Sequence, residues 1–234
     1  MEALVLHNMY FNYPNKPIFE AASFSAESGK ITGILGGNGA GKTTFFDILC
    51  GLKDVQSSSF QCNSEKIMYL SQTISTPGVL TMRDIVKMTI SLTPSNDKQL
   101  ADITETLTTW DSQAAKRYSE FLGKKSSLCS YGEKRWFFTL TLISLRPSIV
   151  ILDEPTAGVD LENRFYIWRC LKKAAEQGIV VLVSSHDINE IEEHCDTFYM
   201  INQRRLSKFE TAEQFKAAFC ADSLDQAFIN AVRL

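Results

Sequence analysis

The sequence predicts an α/β fold built around a mainly parallel sheet, and three observations carry that prediction. A glycine-rich run over residues 36–44 lies between a short apolar stretch, 31–35, and a segment with helical apolar spacing. A second apolar stretch, 149–152, ends on two adjacent carboxylates, Asp153 and Glu154. From residue 132 to residue 201, short apolar runs alternate with helix-spaced segments, the order expected of parallel βαβ units.

The elements follow in chain order. The first 30 residues alternate apolar and polar side chains, as in Leu4-Val5-Leu6 and 19–24, around a Tyr13-Pro14-Asn15 turn, which predicts a small antiparallel sheet. Residues 31–35 read as a buried strand leading into the glycine-rich loop, and the helix after it, starting near Gly41, places Phe45, Ile48 and Leu52 against a sheet. Residues 67–70 form another short strand. From 82 to 122 the period lengthens and predicts several helices, broken only at Thr93-Pro94-Ser95-Asn96. Then come helix 132–145, strand 148–153, helix 161–177, strand 179–184, helix 188–194 and strand 197–201, with a helical tail from Thr211. In the helix from Leu161, the residues Leu161, Phe165, Trp168, Leu171 and Ala175 are expected to form one core stripe.

With 234 residues, 44% of them hydrophobic, the chain can fill one large core or one core with a subdomain. A formal charge of −3 gives no field that would attract nucleic acid, and the pairs Lys124-Lys125, Lys134-Arg135 and Arg204-Arg205 read as solvated faces. The six cysteines show no Cys-x-x-Cys pair and no histidine at metal-ligand spacing, so they read mostly as buried thiols in a reducing compartment. There is no charged-then-apolar leader, and no apolar run approaches the length of a bilayer span, so the chain is expected to be soluble by itself.

The glycine-rich run reads Gly36-Gly37-Asn38-Gly39-Ala40-Gly41-Lys42-Thr43-Thr44. A phosphate cradle needs backbone N–H groups turned toward the anion, and glycines at 36, 39 and 41 let the chain curl that tightly. Lys42 is placed to reach the β- and γ-phosphates, the Thr43 hydroxyl to ligate Mg²⁺, and the following helix to aim its N-terminal dipole at the charge. Carboxylates at the end of a doubly buried strand belong at its C-terminal edge, where ligands of open α/β sheets bind. There Asp153 can hold Mg²⁺, directly or through water, and Glu154 can polarise the water that attacks the γ-phosphate.

With these motifs in hand, residues 4–206 resemble the nucleotide-binding domain of ATP-binding cassette (ABC) proteins. Further segments match that family in order. Tyr13 is placed like the aromatic that stacks on adenine. Gln72 is placed like the glutamine that touches Mg²⁺ and the membrane partner. Ser130-Tyr131-Gly132-Glu133-Lys134-Arg135 resembles the signature sequence, Ala157-Gly158-Val159-Asp160 resembles the loop after the catalytic glutamate, and His186 is placed like the γ-phosphate switch.

The resemblance implies a P-loop NTPase core, about 1–72 and 146–206, carrying an N-terminal antiparallel β-subdomain. It also implies an inserted helical subdomain over about 73–145 and a helical tail over 207–234. It implies an ATPase using ATP and Mg²⁺, with Glu154, His186, Gln72 and Lys42 at the chemistry. Two chains would close head to tail so that Ser130 and Gly132 of one, and Asp160 near them, meet the nucleotide on the phosphate loop of the other. The implied partners are a transmembrane permease and a second ATPase subunit, identical in the simplest case. The implied location is the cytoplasmic face of the inner or plasma membrane, held there by the permease.

Tyr131 stands where the family usually has glycine. A tyrosine there either turns away from the nucleotide or narrows the site, and the expectation is that Tyr131→Gly raises turnover. The stretch through Gln56-Ser57-Ser58-Ser59 is shorter than usual, so a hairpin arm is expected to be trimmed. The segment Ser223-Leu224-Asp225-Gln226-Ala227-Phe228 resembles the ending of bacterial exporter ATPases, which favours export. Its simpler reading is a capping serine before an amphipathic helix with Leu224, Ala227, Phe228 and Val232 on its apolar face. The alternative function is a soluble mechanical ATPase of the same family acting in repair, translation or cluster assembly.

Overall fold

The computed structural model describes residues 2–56, 59–62, 66–93 and 99–233. Two strands, β1 (Glu2–Tyr13) and β2 (Lys16–Glu27), form a hairpin around Pro14 and Asn15, with Leu4 opposite Ala26 and Phe11 opposite Phe19. A short later strand, Ser59–Cys62, adds to the free edge of β1 in antiparallel register, so this sheet has the order β2-β1-β4 once that strand is counted as β4. Of the predicted short arm, Ser57 and Ser58 lie outside the described residues, as do Pro94, Ser95 and Asn96 of the predicted helix break.

The second sheet contains β3 (Ile31–Gly36), β5 (Ile67–Leu70), β6 (Ile149–Asp153), β7 (Val180–Ser184), β8 (Thr197–Asn202) and β9 (Arg205–Phe209) in the order β5-β6-β7-β3-β8-β9. The strands pair in parallel except at the β8–β9 edge. Side chains alternate between its faces, as strand geometry requires. Ile34, Ile149, Ile151, Val180, Leu182 and Tyr199 meet the antiparallel sheet and the helix α1 (Lys42–Leu49), whereas Val150, Leu152, Val181, Val183, Phe198 and Met200 meet the remaining helices. Both faces are covered, which is why β3, β6 and β7 are buried throughout.

On the second face lie α2 (Met82–Ser91), α3 (Leu100–Trp110), α4 (Ser112–Phe121), α5 (Tyr131–Ser144), α6 (Leu161–Glu176) and α7 (Ile188–His194). Tyr118 of α4 stacks on Phe137 of α5 with ring centroids 4.3 Å apart, and its hydroxyl lies 2.8 Å from Thr141 Oγ1. A buried aromatic wall therefore joins the helical segment to α5, whose other end reaches the sheet. The tail forms two helices, α8 (Ala212–Ala218) and α9 (Leu224–Arg233). Phe215 of α8 packs on Phe198 and Phe209, and Ala227 and Ala231 of α9 are fully buried.

Several sequence expectations change here. In α6, Trp168, Leu171 and Ala175 are buried, but Leu161 is 84% and Phe165 56% exposed; the core side runs instead through Ile167, Cys170 and Ala174. Leu52 lies beyond the end of α1 and is exposed, while Phe46 and Leu49 take the core positions beside Phe45 and Ile48. Of the six cysteines only Cys129 and Cys170 are buried, Cys50, Cys62 and Cys195 are partly so, and Cys220 is exposed. Strand β9 was not predicted. Arg135 is wholly buried rather than solvated. Among the described residues no helix is long and apolar enough to cross a membrane.

Candidate nucleotide-binding site

Strand β3 ends at Gly36, and the chain must turn through the loop to start α1 at Lys42. Gly41 makes that turn with φ +110°, and a Cβ there would lie 2.8 Å from Ile18, so no other residue fits without movement. Gly39 is also left-handed, at φ +76°, whereas Gly36 ends its strand at a negative φ and is confined by Ala40 and Ile201 instead. The sequence expectation that Gly36 supplies turning freedom is thereby corrected.

The loop lines a cavity of about 260 Å³ together with Tyr13, Lys16, Ile18, Asn38, Thr44, Gln72, Glu154 and His186. Lys42 Nζ donates to the carbonyl of Gly36 at 2.8 Å. Burial pushes the Lys42 ammonium below its ordinary value, and the Glu154 and Asp153 carboxylates partly offset this. At the cavity mouth the Tyr13 hydroxyl lies 3.3 Å from Thr44 Oγ1, and the Lys53 ammonium sits 5.3 Å from the centre of the Tyr13 ring.

The carboxylates come from the end of β6. Thr43 Oγ1 donates to Asp153 Oδ2 at 2.8 Å, and Asp153 Oδ1 accepts from Ser184 Oγ at 2.5 Å. A hydroxyl, a carboxylate and, close by, the Gln72 amide form an oxygen-rich set of the kind Mg²⁺ takes. Glu154 follows with φ +57°, in a region that costs a non-glycine residue on the order of 1 kcal/mol and persists only where neighbours enforce it. Ser184 Oγ accepts from the Glu154 N–H at 3.0 Å. The Glu154 carboxylate contacts His186 Nε2 and lies 3.4 Å from Gln72 Nε2. Its side chain is 9% exposed while that of His186 is 46% exposed, so the pair sits at the boundary between core and cavity.

Of the residues expected from sequence, Tyr13, Gly37, Asn38, Gly39, Gly41, Lys42, Thr43, Thr44, Gln72, Glu154 and His186 meet at the cavity, Asp153 is bonded to Thr43 behind it, and Gly36 and Ala40 do not line it. Ser130, Gly132 and Asp160 do not line this cavity. Ser130 caps α5: its Oγ accepts from the Glu133 N–H at 3.2 Å while the Glu133 carboxylate accepts from the Ser130 N–H at 2.7 Å. Asp160 caps α6 through the Asn163 N–H at 3.0 Å. Gly132 presses on the next loop so closely that a Cβ would stand 2.0 Å from the Gly158 carbonyl oxygen. Residues that sequence reading missed are Lys16 and Ile18, which line the cavity, Ser184 and Arg135. Parallel pairing of Asp153 with Ser184 across β6 and β7 is the signal that could have found Ser184.

The sequence profile described as ABC transporter matches residues 19–157, more than half of the chain. The chain belongs to the ABC transporter family. It is 27% identical over 218 residues to Protein McbF of Escherichia coli, covering 91% of this chain and 87% of that one. It is 26% identical to the energy-coupling factor transporter ATP-binding protein EcfA of Methanococcus maripaludis, over 92% of this chain and 81% of that protein. With the probable multidrug ABC transporter ATP-binding protein YbhF of E. coli it shares 27% identity over 90% of this chain, which spans 38% of that longer protein. A solved ATP binding subunit of an ABC transporter superposes with a TM-score of 0.84 at 20% identity, over 98% of this chain and 99% of the other. The chain is an ABC-type ATPase: it binds and hydrolyses ATP.

Proposed function

We propose that this ATPase powers an exporter, as one of two identical subunits that close head to tail over two ATP molecules on a separate transmembrane permease. The observation that carries the reading is the division of the polar machinery. Lys42, Thr43, Asp153, Glu154, Gln72 and His186 converge on one cavity, while Ser130 and Gly132 face elsewhere. A second chain in opposite orientation would bring its Ser130 and the N-terminus of its α5 to the open side of that cavity, where the helix dipole favours a phosphate.

Within each site, Lys42 and the loop N–H groups bind the phosphates and Tyr13 supplies a ring for the adenine. Thr43, Asp153 and Gln72 would hold Mg²⁺, whose charge would neutralise phosphate oxygens during the reaction. Glu154 accepts a proton from the attacking water, and His186 holds the Glu154 carboxylate on one side as Gln72 approaches it on the other. Residues of about 73–145 act as the helical subdomain that meets the permease, at the cytoplasmic membrane face.

Export is supported by the resemblance of 223–228 to exporter endings and by the multidrug transporter YbhF among the relatives. The cobalt import ATP-binding protein CbiO of Salmonella typhimurium, at 26% identity, stands on the other side of that choice. The test is to tag the chain carrying Glu154→Gln, solubilise it from its native cells with ATP and Mg²⁺, and identify what copurifies. A stoichiometric polytopic membrane protein is expected. A ribosomal, DNA-bound or scaffold partner without a membrane protein would replace the transporter by the soluble mechanical ATPase, and a copurified solute-capturing protein from outside the cell would reverse the direction.

A further inference from the structure

Arg135 is fully buried, and its guanidinium is spent on backbone carbonyls and one hydroxyl. Its Nη1 donates to the carbonyls of Asp153 at 2.5 Å and Glu154 at 3.0 Å. Its Nη2 donates to the carbonyl of Ser71 at 3.3 Å, to that of Gln72, and to the Tyr131 hydroxyl at 2.6 Å. Tyr131 in turn donates to the same Gln72 carbonyl at 2.8 Å, and its ring lies 5.0 Å from the guanidinium carbon. One side chain of α5 thus holds the backbone of both residues whose side chains meet over the cavity, Gln72 and Glu154, including the left-handed Glu154.

We infer that Arg135, oriented by Tyr131, is a positioning residue for hydrolysis: it fixes Gln72 and Glu154 to one another and to α5. A shift of α5 then moves both groups together, so alignment of the attacking water answers to the position of the helical segment. A guanidinium suits this task because its rigid fork serves several carbonyls at once, which an ammonium cannot do. The tyrosine where the family has glycine is, on this account, part of the joint and not an obstruction. The inference rests on the roles given above to Glu154 and Gln72.

The test compares Tyr131→Phe and Arg135→Lys with the parent chain by steady-state ATP hydrolysis, nucleotide affinity and hydrogen exchange in the 71–74 loop. Tyr131→Phe removes one hydroxyl at a half-exposed ring and keeps the packing, so it should fold even if Arg135→Lys does not. Loss of the two hydrogen bonds made by that hydroxyl is expected to lower its kcat about fivefold, with KM for ATP within about twofold and faster exchange at Gln72. Arg135→Lys is expected to lower kcat further, again with little change in KM. A normal kcat in Tyr131→Phe, or a raised KM at constant kcat, overturns the inference; so does Tyr131→Gly turning over faster than the parent, which the spelling of the segment alone predicts. If Glu154→Gln abolishes hydrolysis while Tyr131→Phe is normal, only the joint falls. If Glu154→Gln hydrolyses normally, the underlying roles fall with it.

Discussion

The two ends of α5's neighbourhood use similar residues in opposite ways. At the phosphate loop, Gly37, Gly39, Gly41, Lys42, Thr43 and Glu154 line an open cavity, with Asp153 bonded to Thr43 behind it. At the start of α5, Ser130, Gly132, Glu133 and Arg135 spend their polar atoms on the chain itself: a cap, a close contact with Gly158, and four backbone carbonyls. Within one chain, the first region surrounds a space for a ligand and the second holds its own backbone in place, the proposed nucleotide contact of Ser130 being made only to a second chain. The difference teaches that motif spelling alone does not distinguish a group that meets substrate from one that fixes the framework behind it.

Substitutions can break or sharpen that contrast. The largest effect belongs to Glu154→Gln, which should cut ATP turnover about a thousandfold while leaving nucleotide binding intact, measured by phosphate release beside equilibrium binding. Gly132→Ala should instead act on folding. Its new methyl meets backbone rather than a yielding side chain, and a loss on the order of 3 kcal/mol is expected by urea denaturation. Ser130→Ala removes the cap oxygen and should cost about 1 kcal/mol of stability in the same assay; no loss would mean that the cap is idle.

Acid offers a finer probe of the same cap. Burial pushes the Glu133 carboxyl up, but hydrogen bonds from the Ser130 N–H and the Lys124 ammonium outweigh it and leave the group below its ordinary 4.5. A carboxyl depressed in the folded state contributes stability that is complete above pH 4.5 and is lost as pH falls through the folded value. Thermal melts between neutral and acid pH should therefore converge for the parent and Glu133→Gln, with the parent losing more. The smallest effect is expected at Phe165→Ser, within about 0.5 kcal/mol, because the ring is already half exposed.

The contiguous motifs were legible because their geometry is local: a strand, a tight loop and a helix must follow one another for the glycines and Lys42 to work. The edge carboxylates were legible for a related reason, since an apolar strand admits them only at its end. Arg135 was not, because its acceptors come from two distant segments and a Lys-Arg pair looks like any solvated surface. The α6 stripe was half legible. Heptad-like spacing from Leu161 fits two adjacent faces, and the tertiary packing uses the one through Ile167 and Cys170, leaving the first turns beyond the core. Strand β9 carried no signal, since it is a mostly exposed edge strand with only Phe209 buried.

Val232 in α9 lies where a Cβ on Gly37 would come within 2.9 Å of its Cγ1. The last helix described thus sets a size limit inside the phosphate loop. Relatives that place alanine at the position of Gly37 should carry a smaller residue, or no such helix, at that of Val232. The two positions should vary together across a set of aligned sequences, as a record of contact written in substitution rather than in coordinates.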